Sequence, residues 1–440
     1  MTDRRIILAE YFTTSDTTLL FIVRSDFDEP KVERLDITVE HIREFALNNF
    51  GRGPWRSGRS KIDEDEWHGR FAGLVNPILE WAEPEDIIWF VPHDVIHYLP
   101  LHSLKVEGNY LIERNPVCYS PSASVMRYCH NKRKGRRKKA LILADSRPDR
   151  PLVFAREQAL SVGNLPGLEA EIYLGSQATK TLVKRKLAED KEGIDILHFA
   201  CHGLFDPQQA LKSGIMLAPE SLGATPASQA ADGHPADDHR EWNLTAEEIF
   251  GLEMQADLVT LSACESGVNE RRPGDELIGL TRALIYAGTP SVAVSLWSVD
   301  ELSTDILMRK FYESLLDEEK TKVDALREAQ RYLRRVTMGD AIKYVEGVRR
   351  RPGPDVGAAP YLDLIIAETR LAARDYAAAS KEFQDLGVRA GVDAEVKRRV
   401  EEGVWRASVG LESGASADYD RPLYDDPYYW APFIIVGDWK

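Results

Sequence analysis

Two stretches of the chain hold the residue types of thiol chemistry. ILHFACHG at 196–203 delivers His202, and DLVTLSACESG at 257–267 delivers Cys264. Each opens as an apolar run of the length of a strand buried on both faces, and each closes on small residues. A thiol is largely protonated near neutral pH, so it becomes a nucleophile only where a neighbour generates the thiolate. A histidine can do this and later return a proton to a leaving amine. Small residues beside both groups let backbone N–H groups come close to a developing oxyanion. In a parallel α/β sheet such groups gather at the carboxyl ends of strands. These features read as a cysteine hydrolase.

Neighbouring residues compete for the same roles. Cys201 immediately precedes His202, so in an extended strand it points to the opposite face, as a core thiol would. His198 shares the parity of His202 but lies four residues deeper, which suits a core or supporting histidine. A zinc site from His198, Cys201, His202 and Cys264 would need ligands on both faces of one strand, so no metal is expected. HDVIHYLPLHSL at 93–104 holds His93, His97 and His102, but without a carboxylate-rich helix around them they read as loop histidines at a strand end.

The elements that must position these groups follow from the pattern of the rest. The chain has 440 residues, 43% apolar and 29% charged, which describes a globular protein of two or three domains. Residues 4–26 predict two strands joined by a polar turn, and KVERLDITV a third. Trp67, Phe71, Leu74, Ile78 and Trp81 predict a helix over 64–82, and DIIWFVP at 86–92 a buried strand. From KALILAD at 139–145 onward, strands and helices alternate, the pattern of a mainly parallel sheet. Residues 221–241 have no periodicity and read as a surface insertion. The T-A-E-E from Thr245 predicts a capping box, and Ser298 or Asp300 caps the helix after SLW. The Ala-rich helical stretch after RRRPGPDVGAAP contains, at 367–387, the spacing of one tetratricopeptide-like helix pair. FIIVG near the end reads as a strand returning to the sheet.

HFACHG, LSACESG, GDELIGLTRALIYAG, SLWSVDELST and YYWAPFIIVGD together resemble the CHAT family of caspase-like cysteine peptidases, in the broad group of separase, gingipain and the caspases. WFVPHDVIHYLPLHSL and SPSAS resemble the N-terminal half of such domains. The resemblance implies an α/β, caspase-like, mainly parallel sheet flanked by helices. Its parts would be a degenerate caspase-like half over 1–135, a catalytic half over 136–337, a helical insertion over 338–420, and a C-terminal strand within 421–440. It implies a His202–Cys264 dyad, with the backbone amides of Gly203 and Cys264 as the oxyanion hole. Relatives that cut after Arg or Lys place an acidic residue in the specificity pocket. The candidates here are Asp275, Asp300 and Asp305, each of which also has a structural explanation as a helix cap, a first-turn charge or a loop residue. Residues 293–298, with Ser295 and Trp297, are expected to pair with an extended substrate as an edge strand.

The expected partner is therefore a protein substrate, with a regulatory protein docking on 338–420 and a setting in bacterial defence or programmed cell death. The alternative is a catalytically silent caspase-like scaffold. A net charge of −15 argues against general nucleic-acid binding. Short apolar runs, the lack of a leader-like N-terminus and four cysteines without paired spacing point to a cytoplasmic chain with reduced thiols and no membrane contact. No cofactor-shaped feature is present in the sequence. The basic run KRKGRRKK at 132–139 reads as a solvated loop, with an acidic or RNA contact or a self-cleavage site as alternatives.

Overall fold

The computed structural model describes residues 4–49, 64–135, 137–147, 151–189, 193–204, 209–220, 242–262, 276–351, 358–389, 392 and 394–440. Met1–Arg331 with Asp426–Lys440 form one compact unit, and Tyr332–Asp425 form another.

The first unit is built on an eleven-stranded sheet. Its strands begin with β1 (Ile6–Thr13), β2 (Thr18–Val23), β3 (Lys31–Leu35) and β4 (Ile87–Val91). A small hairpin, β5 (Lys105–Val106) and β6 (Asn109–Tyr110), precedes β7 (Val117–Tyr119). Then come β8 (Lys139–Ala144), β9 (Glu169–Leu174) and β10 (Ile196–Ala200). Three short strands, β11 (His202–Leu204), β12 (Gly214–Met216) and β13 (Asn243–Thr245), form a separate antiparallel sheet. The main sheet is completed by β14 (Leu258–Leu261), β15 (Ser291–Ser295) and β16 (Phe433–Gly437), in the order β3-β2-β1-β4-β7-β16-β15-β14-β10-β8-β9. Pairing is parallel except at β3–β2, β2–β1 and β15–β16. The sheet thus holds two parallel blocks running in opposite directions. Its central strands β4, β10, β14, β15 and β16 are buried along their whole length, as expected of strands covered on both faces.

One sequence expectation changes. The helix predicted over 64–82 is α-helical only from Glu64 to Phe71, and then tightens into 3-10 turns at Ala72–Leu74 and Asn76–Glu80. Pro77 has no N–H to continue the α ladder, and a 3-10 turn tolerates the break. Trp67, Phe71, Leu74 and Ile78 are buried all the same and Trp81 is half-buried, so the apolar spacing marked the inward face except at its last residue.

The basic run is not a solvated loop. At the end of the sheet where β8, β10 and β14 begin and β16 ends, Arg133 makes two bonds of 2.7 Å to the fully buried Asp438. Arg137 Nε lies 3.2 Å from Asp257, also fully buried, and the Lys134 N–H donates to the same carboxylate at 3.1 Å. Lys322, with no exposed side-chain surface, sits 3.0 Å from Asp257 and 3.5 Å from Asp438. Asp195 accepts the N–H groups of Lys138 and Lys139 at 2.8 and 3.0 Å. Its own carbonyl takes those of Asp257 and Leu258. Burial alone would raise the Asp257 carboxyl, but Lys322 and Arg137 outweigh it and hold it below the usual carboxylate value.

In the second unit, the helices Met338–Arg349, Ala358–Ala372, Tyr376–Gly387 and Ala394–Glu412 follow one another. Ala367, Leu371, Ala379, Phe383, Val396, Val400 and Ala407 share one apolar core. Gly403 is required there, because a Cβ would stand 2.4 Å from the Phe383 ring. The helix pair read at 367–387 therefore shares its core with a third helix.

Removing Lys322 leaves two buried carboxylates short of a cation, which typically costs about 3–5 kcal/mol. Lys322→Met should lower the urea midpoint by a corresponding amount, and adding Asp257→Asn should return part of it. The Asp257 contribution is present above the unfolded carboxylate pKa of about 3.9 and is lost as pH falls through the lower folded value. Wild type should therefore lose stability below about pH 4 more steeply than the double variant, in unfolding curves measured against pH.

Candidate active site

The strand order reverses direction between β8 and β10. From β8 the chain moves outward to β9, then crosses back to place β10 on the other side of β8, with β14 beyond it. In open α/β sheets the crevice at the carboxyl ends beside such a reversal is where ligands bind. β8 and β10 pair from Lys139 and Asp195 at one end to Ala144 and Ala200 at the other, and Asp145 N extends the ladder to Ala200 O at 3.0 Å. On its other side β10 pairs with β14, Phe199 against Leu261, and Ser262 N donates to Phe199 O at 2.8 Å.

His202 stands at this mouth. It is the first residue of β11, where the chain leaves the main sheet, and it is 2% exposed. Its cross-strand partner is Met216, and that of Gly203 is Ile215. Cys264 follows Leu261 in sequence at the same interval at which His202 follows Phe199. Cys264 lies outside the described residues, as do Gly267 and Asp275.

The competing residues are placed as core groups. His198 is fully buried; Nε2 stands 3.1 Å from Gln158 Oε1, and Nδ1 3.1 Å from the Tyr312 hydroxyl, which is 2.7 Å from Thr260 Oγ1. Burial lowers its pKa to about 3, so it stays neutral and structural at physiological pH. Cys201 is fully buried, donates to Leu143 O at 3.4 Å, and is pushed up to about 12 by burial. The histidines of the 93–104 segment are likewise taken up by the structure around them, and His102, expected as a loop histidine, is buried. His93 Nδ1 accepts the Thr13 N–H, while His102 contacts the Tyr119 hydroxyl at 3.0 Å and Gln330 at 3.3 Å. His97 lines an apolar cavity with Tyr119, Thr281 and Val294. Among the described residues no group of His, Cys, Asp or Glu side chains could hold a metal ion.

The residues considered for substrate contact have structural positions. Asp300 is the N-cap of the helix Glu301–Tyr312 and accepts Ser303 N at 2.8 Å. Asp305 lies inside that helix at 1% exposure. Ser295 is buried at the end of β15, and Trp297 Nε1 donates to Tyr428 O at 3.1 Å. The expected edge strand is corrected: β15 is interior, with β14 on one side and β16 on the other, and Leu296 N is taken by Pro432 O at 2.9 Å. The returning FIIVG strand occupies the side a substrate would need.

Two residues beside His202 escaped sequence reading. Asn243 lies in the cross-strand row of His202 and Met216, is 1% exposed, and its Nδ2 has no acceptor among the described residues. Ser146, fully buried beyond the end of β8, donates to Met216 O at 2.6 Å. Strands of three residues give no periodicity, so β12 and β13 carried no signal in the sequence.

The family model of the CHAT domain matches residues 74–438, and the chain belongs to that family. Tetratricopeptide repeat protein 28 of Homo sapiens is 29% identical over 242 residues, 49% of this chain and 9% of that protein. Its Mus musculus counterpart is 31% identical over 188 residues, 38% of this chain and 7% of that protein. The chain thus spans less than a tenth of these relatives. The structure is similar to the Saccharomyces cerevisiae separase–securin complex (TM-score 0.46, 10% identity, covering 74% of this chain and 28% of that one). It is also similar to the Arg-specific cysteine proteinase gingipain R (TM-score 0.34, 11% identity, covering 67% and 70%). Among the described residues no helix is long and apolar enough to cross a membrane.

Cys118, Cys129 and Cys201 are all buried. Cys129 and Cys201 are both pushed up to about 12 by burial, and Cys118 is raised well above its ordinary value for the same reason. Iodoacetamide at pH 8 should leave all three unmodified in the native protein while modifying them after denaturation, as read by peptide mass spectrometry. Modification of native Cys201 at a rate near that of a free thiol would contradict its assignment as a core residue.

Proposed function

We propose that the chain is a caspase-like cysteine endopeptidase acting on a protein substrate, with His202 and Cys264 as its dyad. The observation that supports this best is the register of β10 against β14. Phe199 and Leu261 are paired on these two adjacent parallel strands, and the His and the Cys follow them in the sequence at the same interval of three residues. His202 takes the thiol proton, and the Cys264 sulfur attacks the scissile carbonyl carbon. The carbonyl oxygen gains negative charge, and we assign its stabilisation to the backbone N–H groups of Gly203 and Cys264. Collapse of this intermediate breaks the C–N bond as His202 donates its proton to the departing amine. Water then attacks the thioester, His202 taking its proton, to release the acid and restore the thiol. We assign the helical stretch 338–420 to docking of a regulatory protein, and Asp275, Asp300 and Asp305 remain the candidates for selecting a basic residue.

A second reading, a silent scaffold, is favoured by one observation: His202 is 2% exposed, so a substrate reaches it only if its surroundings open. The two readings separate in a comparison of new protein N-termini generated in a lysate by wild type and by variants. Endopeptidase action predicts termini that vanish with Cys264→Ala and with His202→Ala, a loss of at least about 1,000-fold in rate. Cys201→Ala should retain most of them. Identical termini from wild type and Cys264→Ala would reject the dyad.

A further inference from the structure

The crevice between β8 and β10 is flanked on the β10 side by His202 and on the β8 side by Ser146. Asp145, the first residue beyond β8, has φ of +50° and accepts the N–H of Leu152 at 2.8 Å, so the chain turns sharply as it leaves the sheet. The next residue, Ser146, is fully buried, and its Oγ donates to the carbonyl of Met216 at 2.6 Å. Met216 is the residue of β12 paired with His202. This hydroxyl therefore holds the cross-strand partner of the candidate base from the end of β8. β11 has only three residues and has left the main sheet, so its own pairing fixes it weakly.

We propose that Ser146 is a positioning residue, which fixes the β11–β12 pair against the end of β8 and thereby sets the orientation of His202 toward Cys264. The inference rests on the dyad reading. Without the hydroxyl, the Met216 carbonyl loses a buried donor, and the pair is free to shift relative to the main sheet. Displacements of the order of 1 Å at such a pair cost about 100-fold in rate.

The test is the pH profile of Cys264 alkylation by iodoacetamide in the full-length protein, which requires no knowledge of the substrate. An isosteric pair, Ser146→Thr and Ser146→Val, differs only in the hydroxyl and adds the same bulk, so the comparison holds even if Ser146→Ala folds poorly. Near-UV circular dichroism checks that both are folded. In wild type the thiol paired with His202 should alkylate with an apparent pKa below the free-thiol value of about 8.5, and His202→Ala should move it up toward that value. Ser146→Val should follow His202→Ala, with alkylation at pH 6.5 falling roughly 10–100-fold, and Ser146→Thr should restore the wild-type profile. Equal profiles for Val and Thr, with His202→Ala shifted, would overturn the role of Ser146 and leave the dyad standing. A His202→Ala profile identical to wild type would overturn the dyad and the inference with it.

Discussion

The buried charges at the foot of the sheet are the constraint on which the rest of the first unit depends. Asp257 precedes β14 and Asp438 follows β16, both fully buried, and Lys322, Arg133 and Arg137 meet them there. A buried charge without its partner costs several kcal/mol, so none of these groups can leave while the others stay. The linker between β7 and β8, two central strands and the helix Lys322–Arg335 are thus fixed as one piece. The same place sets the register of the candidate site, since the carbonyl of Asp195 takes the N–H groups of both Asp257 and Leu258. At about 3.3 Å per residue, β10 and β14 carry that register only some 13–17 Å to the mouth.

The interior that holds the strands also silences the ionisable groups within it. His198 and Cys201 belong to the same short stretch as His202, yet burial drives the histidine toward the neutral form and the thiol toward the protonated form. Chemistry is left to whatever stands beyond the last paired residues. That is where β10 hands over to β11, and where the loop after β8 sends a hydroxyl across to hold the strand beside His202.

Much of the central sheet was legible in the sequence because its strands are apolar on both faces and alternate with helices. The capping box at Thr245 was readable from side-chain chemistry alone, and of the two caps the sequence offered, Ser298 and Asp300, the helix takes Asp300. Parity alone set Cys201 apart from His202, and its place four residues deeper in the strand set His198 apart. What the sequence concealed was pairing. The side of β15 assigned to substrate is filled by β16, whose residues come more than a hundred positions later in the chain. The basic run looked solvated because its buried partners, Asp257 and Asp438, are equally remote in sequence. Pro77 broke a helix whose apolar spacing was intact. Ser146 and Asn243 carried no local pattern.

The central claim is that His202 makes a nucleophile of Cys264. It is tested most directly by a peptidyl acyloxymethyl ketone, which alkylates an activated active-site thiolate, with intact-protein and peptide mass spectrometry as the readout. A single adduct on Cys264 in wild type, lost in His202→Ala, is the predicted result. An adduct of equal yield in the two proteins would contradict the dyad, as would labelling spread over the other cysteines.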